Sequence, residues 1–154
     1  MNNKKNLYVI IGFVVIVGAL GFIFSPREKA LAPAPNTTPK VTYNNASDDL
    51  ITVALPYPGG KVLQNFSVMG QARGSWFFEA SFPVEVFDKD GKTIATGIAQ
   101  AQKEWMTTEF VPFRADIKIS KIYTGPATLV LKKDNPSGLS EKDASISFPV
   151  IVQY

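Results

Sequence analysis

Any chemistry in this chain must come from carboxylates, hydroxyls and amines, because its 154 residues include neither cysteine nor histidine. Without histidine the commonest general base and transition-metal ligand is missing. Without cysteine there are no disulfides, thiolate nucleophiles or thiolate zinc sites. The best-spaced acids lie in "FDKDGKT", Phe87 to Thr93. In a calcium loop of the EF-hand type, Gly91 would take the sixth position and Asp88 and Asp90 the third and fifth. Val86 then falls where the first carboxylate must be, and Gly97 where the bidentate glutamate must be. The metal reading fails at both anchoring ligands. A hairpin needs nothing more, since Asp-Gly suits a tight turn in which Gly takes a positive φ.

Two further groupings invite a catalytic reading. Glu79 and Glu85 share a parity but stand six residues apart, roughly 20 Å along a strand, against about 5 to 9.5 Å for the paired acids of glycoside hydrolysis. Ser120-Lys121 and the Ser140 to Lys142 triplet pair a hydroxyl with an amine. Their polar neighbourhoods do not offer the burial that a lysine base requires. The sequence therefore predicts no catalytic residue, no metal and no cofactor.

Aromatic residues offer recognition instead. Tyr57 lies in the "LPYPGG" loop, Trp76 and Phe77 open a strand, and Trp105 sits in the polar "AQKEWMTTE" connection. Tyr and Trp in loops at one end of a β-sandwich build a contact surface at little entropic cost. The competing reading is that each Trp caps the open end of the core.

The elements that would position these residues are strands. From Leu50 onward, short alternating segments rich in β-branched and aromatic residues are separated by Gly, Pro, Asn and Asp. "FEASFPVEVF" places Phe78, Ala80, Phe82, Val84 and Val86 on one face and Glu79, Ser81 and Glu85 on the other. "SISFPVIVQY" repeats the scheme with Ile146, Phe148, Val150 and Val152 inward. Ile51 to Leu55, Phe66 to Ala72, Thr93 to Ala101, Phe110 to Ile119 and Ala127 to Lys132 complete about seven strands, the count of an all-β, immunoglobulin-like sandwich. Pro83, Pro112 and Pro149 each interrupt a strand, so those strands are expected at edges or with bulges.

Ahead of this module, Leu7 to Phe24 is an uncharged apolar run of the length that spans a bilayer as one helix, too long for the apolar region of a cleaved signal. Residues 1–24 read as a membrane anchor, 25–49 as a tether rich in Pro, Ala and Asn, and 50–154 as the module. Lys4 and Lys5 weakly favour an internal amino terminus, which exports the rest. The formal charge of +3 belongs mostly to anchor and tether, and the module lacks the basic stripe that nucleic acid needs.

The segments "ITVALPYPGGKV" (residues 51–62), "FSVMGQARG" (66–74), "FFEASFPVEVFDKDGKTIATGIAQA" (77–101), "FVPF" (110–113), "GPATLVLKKDNPSG" (125–138) and "ISFPV" (146–150) together resemble the immunoglobulin-like domain of bacterial spore germination, the second GerM-associated domain family. The resemblance implies an extracytoplasmic bacterial module without established catalytic residues. The expected function is recognition of another envelope protein or of cell-wall glycan by a single-pass membrane protein. The alternatives are a carboxylate-dependent wall hydrolase and a structural subunit of an envelope complex.

Overall fold

The computed structural model describes residues 38–154. The predicted anchor, Leu7 to Phe24, and the first half of the tether lie outside the described residues. Among the described residues no helix is long and apolar enough to cross a membrane.

All seven predicted strands form: β2 (Ile51–Leu55), β4 (Asn65–Arg73), β5 (Ser81–Asp88), β6 (Thr93–Ala101), β7 (Phe110–Lys118), β8 (Gly125–Lys132) and β9 (Ser145–Val152). Two short ones join them, β1 (Thr42–Asn44) and β3 (Lys61–Val62). The hydrogen-bonded order is β1-β9-β8-β5-β6-β7-β4-β2, with β3 running parallel to the end of β9. β1 lies within the segment read as tether, and Val41, Ala46 and Leu50 pack against the core. The folded unit thus starts before residue 50. All three β1 residues are exposed, so the strand is held by backbone bonds and leaves no apolar period to read.

The path folds over at β6. Phe82 on β5 and Phe113 on β7 touch edge to face at 4.9 Å, although β6 lies between their strands in the hydrogen-bonded order. In a flat sheet, strands two places apart stand about 9.6 Å from each other. β6 pairs with β5 over most of its length, but its ladder with β7 is confined to Gln100 and Ala101, with single backbone bonds at Gln102–Pro112 and Ser120–Ile94 beyond it. Small inward residues, Ala95, Gly97 and Ala99, let the layers close there. A Cβ on Gly97 would stand 2.5 Å from Cδ1 of Ile117 on β7. The result is two layers, β1-β9-β8-β5-β6 and β7-β4-β2, around one core.

That core holds Val84, Val86, Leu129, Leu131, Ile146 and Val150 from the first layer and Ile51, Val68 and Ile117 from the second, all buried. Each contributes about 1.5–3 kcal/mol by leaving water, offset by chain entropy. No polar or charged residue among those described is buried.

The prolines depart from expectation in an instructive way. Their strands are not edges, yet each proline sits where its strand lacks one neighbour. Pro149 falls between the stretch of β9 covered by β1 (Ser145 to Ser147) and the stretch covered by β3 (Ile151 and Val152). Its carbonyl accepts the Gly59 N–H at 2.7 Å, so its nitrogen, on the same side of the strand, faces that gap. Pro112 lies just past the last β6 pair, and Pro83 just before the first β8 pair. A missing N–H costs nothing at such positions.

Parity also needs correction at the start of β5. Glu79 (φ 49°) and Ala80 (φ 61°) form a two-residue turn in which Phe78 and Ser81 exchange backbone hydrogen bonds of 3.0 Å. Both positive φ values mark the I′ geometry. The turn resets the alternation: Phe78 is exposed, Glu79 is off the strand, and Phe77 is buried in place of Phe78. From Phe82 onward the predicted faces hold.

Candidate functional site

The Leu55 to Leu63 segment crosses from the β2 layer to the β9 layer and presents apolar side chains on the way. Tyr57-Pro58-Gly59-Gly60 is a turn closed by the Gly60 N–H donating to the Tyr57 carbonyl at 2.8 Å. Proline at the second position and Gly59 at φ 77° fit a type II turn. The turn is tied to β9 on both sides, by Gly59 N–H to the Pro149 carbonyl and by Ile151 N–H to the Gly60 carbonyl at 2.9 Å. A Cβ on Gly60 would lie 3.4 Å from Cε2 of Tyr57; the tyrosine ring therefore rests over the bare glycine backbone while staying 64% exposed.

Beside it runs an open cleft of about 290 Å³ lined by Leu55, Tyr57, Lys61, Leu63 and Phe66 among others. Leu55 and Leu63 are half exposed, and Lys61 supplies the only charge in the lining. Beyond Phe66, on the outer face of β4 and β7, the Ser67 hydroxyl donates to Asp116 Oδ1 at 2.6 Å, and Arg114 donates to the same carboxylate at 2.9 Å. Arg114 also reaches the Ser67 oxygen at 2.8 Å. Ser67, followed by Arg114, holds the Asp116 carboxyl below its ordinary range, as hydrogen bonds to the charged form must. The site offers a fixed aromatic ring, leucine flanks, one ammonium and a polar border, which is equipment for contact.

The predicted site residues do not assemble. Trp76 (1% exposed) and Phe77 (4%) belong to the core, where both rings meet Phe82 edge to face, at 6.4 and 5.2 Å. A short 3₁₀ turn, Gly74–Trp76, swings them inward, so neither presents a surface to a ligand. Trp105 is half buried and packs against that core. Its carbonyl would meet a Cβ on Gly74 at 2.3 Å, just past the C-terminal end of β4. Tyr57 stands near the opposite end of β4, roughly 25 Å away. It keeps its exposed place and is joined by Leu55, Leu63 and Phe66, which sequence reasoning passed over; the usable signal was two leucines bracketing a Pro-Gly turn.

The acids that could suggest chemistry are occupied elsewhere. In the loop after β5, Gly91 takes φ 77° and donates to the Asp88 carbonyl at 3.1 Å. Asp88 Oδ1 accepts the N–H groups of Asp90 and Lys92 at 2.9 Å. This is the hairpin, with a three-residue loop. Among the described residues no three acidic, histidine or cysteine side chains are grouped to hold a metal ion. Glu85 pairs with Lys132 at 2.7 Å.

Neither the curated proteins nor the solved structures compared with this chain include a match. The family model described as the immunoglobulin-like domain of bacterial spore germination matches residues 50–140, more than half of the chain and the segment that carries β2 through β8 and the Tyr57 cleft. The all-β architecture and the family match agree: this chain belongs to the immunoglobulin-like domain family of bacterial spore germination.

Proposed function

We propose that the chain is a non-catalytic binding module, held at the cell membrane by residues 7–24 and displayed outside the cell, and that its Tyr57 cleft recognises another envelope protein. The single observation behind this reading is the Tyr57 platform: an exposed ring seated on Gly60, flanked by exposed Leu55 and Leu63, on a turn tied to β9. Rigid aromatic contact area flanked by aliphatic side chains suits an apolar protein segment, because little entropy is lost on binding. Cell-wall glycan is the second ligand class, since a sugar face also stacks on an exposed ring. Tethering raises the module's local concentration at the membrane surface.

The test is capture from envelope extracts by the full chain and by Tyr57→Ala. A specific protein that co-purifies with the parent and is reduced at least tenfold by the substitution, on the scale of an interface anchor, supports the reading. Retention on purified peptidoglycan with the same sensitivity moves the assignment to glycan. Soluble fragments released from peptidoglycan would instead favour the carboxylate-dependent hydrolase and overturn the non-catalytic reading.

A further inference from the structure

Exposed large apolar residues stand at both ends of the sandwich, Phe78, Met106 and Leu139 at one and Leu63, Ile122 and Tyr154 at the other, and the second set is gathered by the hydrogen bonds of one residue. Gln64, between β3 and β4, donates through Nε2 to the Tyr123 carbonyl at 2.6 Å and to the Gln153 carbonyl at 3.1 Å. Its backbone carbonyl accepts the Ile119 N–H at 2.9 Å. One side chain thus gathers the β3–β4 corner, the β7–β8 loop and the chain's last residues. The sequence neighbours of the three gathered residues are Leu63, Ile122 and Tyr154, and their exposures are 57%, 77% and 79%. Three large apolar side chains therefore project from one hub, and none is covered among the described residues.

Charge marks the same end. Residues 38–154 carry twelve Lys or Arg and twelve Asp or Glu, so the described part is neutral overall. Lys61, Lys118 and Lys121 are exposed around the hub. The nearby β5–β6 hairpin adds two lysines and two aspartates, with Lys89 paired to Asp90 at 2.7 Å, and contributes no net charge. The opposite end, formed by the β6–β7 and β8–β9 loops and the turn before β5, holds Glu79, Glu104, Glu109, Asp134, Glu141 and Asp143 against Lys103, Lys133 and Lys142. A neutral domain with its surplus lysines around its protruding apolar tips has the layout that enters a lipid interface: aliphatic and aromatic tips among the acyl chains and lysines at the headgroups.

We infer that this end of the module docks on an anionic bilayer surface, inserting Leu63, Ile122 and Tyr154 with Lys61, Lys118 and Lys121 against the phosphates. A soluble polyanion would be met by the lysines alone and gives no role to three projecting apolar side chains. The inference goes beyond the proposed partner binding and does not depend on it, but Leu63 and Lys61 also line the Tyr57 cleft, so bilayer and partner would compete for them.

The absence of cysteine makes the test direct. Full-length chains carrying Ile122→Cys, Tyr154→Cys or Met106→Cys take an environment-sensitive fluorophore at that site alone; Met106 is 75% exposed at the opposite end. Each is mixed with vesicles of phosphatidylglycerol and phosphatidylcholine. The expected result is a blue shift at 122 and 154, none at 106, and loss of the shift in pure phosphatidylcholine or at high salt. Lys121→Glu should lower the docked fraction at the 154 label by roughly tenfold or more, and Ile122→Asp should abolish it, with the far-ultraviolet spectrum unchanged. Equal responses at 106 and 122, an undiminished shift in phosphatidylcholine, or a response to soluble polyphosphate without one to vesicles would overturn the inference. Flotation of the same vesicles reports the anchor separately, so failure of the tip and failure of the anchor are told apart.

Discussion

Asp116 shows how much a single hydroxyl does on an open surface. Its folded-state carboxyl titrates below the ordinary 3.8, with Ser67 as the first cause and Arg114 next. Because the folded value is depressed, the contribution to stability is complete above the unfolded value and is lost as pH falls through the lower folded one. Carboxyl-carbon NMR of Asp116 should give a midpoint below 3.8, and Ser67→Ala should move it back up; an unmoved midpoint would deny Ser67 its role. The turn at Glu79 and Ala80 carries a second prediction. Two consecutive non-glycine residues in the left-handed region cost about 1–2 kcal/mol each, so Glu79→Asn with Ala80→Gly should raise stability by about 1–2 kcal/mol in denaturant unfolding. The same turn explains what was hidden from sequence. Asp90-Gly91 announces its hairpin through residue type. Glu-Ala has no left-handed preference, so the alternation runs unbroken through it in the sequence and points Phe78 rather than Phe77 inward.

Strands were legible wherever one face is buried, because a period of two is then imposed on residue type, as at Val84 and Val86 or Ile146 to Val152. They were illegible where only the backbone is engaged, at β1 and at the two residues of β3. Proline positions gave half an answer: each does avoid a ladder bond, but at a local gap in an interior strand, and such a gap depends on where a distant partner ends. Phe82 is the element-scale test, since it carries rings from the 3₁₀ turn and from the opposite layer against one strand, with centroids at 6.4, 5.2 and 4.9 Å. Phe82→Ala should cost about 3–5 kcal/mol by denaturant unfolding. A loss below 1 kcal/mol would mean that the layers do not meet through this cluster.

For the molecule as a whole, the sequence carried the class and the number of major strands but not which aromatic residues would become neighbours. That depends on the fold-over at β6, which puts Trp105 and Tyr57 at opposite ends and takes Trp76 inside. The family match stops at residue 140, whereas β9 begins at Ser145 and supplies buried Ile146, Phe148, Val150 and Val152 while pairing with β8 along its full length. A chain ending at Ser140 should therefore fail to fold, read as loss of the cooperative thermal transition; a preserved transition would show that β9 is dispensable. The first two strands lie at the two extremes of the sheet path, and the outermost, β1, grips β9 through three residue pairs with no buried side chain. A pull on the chain from its amino-terminal side therefore loads Val41 and β1 before any of the longer strands. Peeling the three β1 residues away leaves the fully buried core closed and pays out roughly 10 Å of chain, so the module yields in length under tension before it yields in shape.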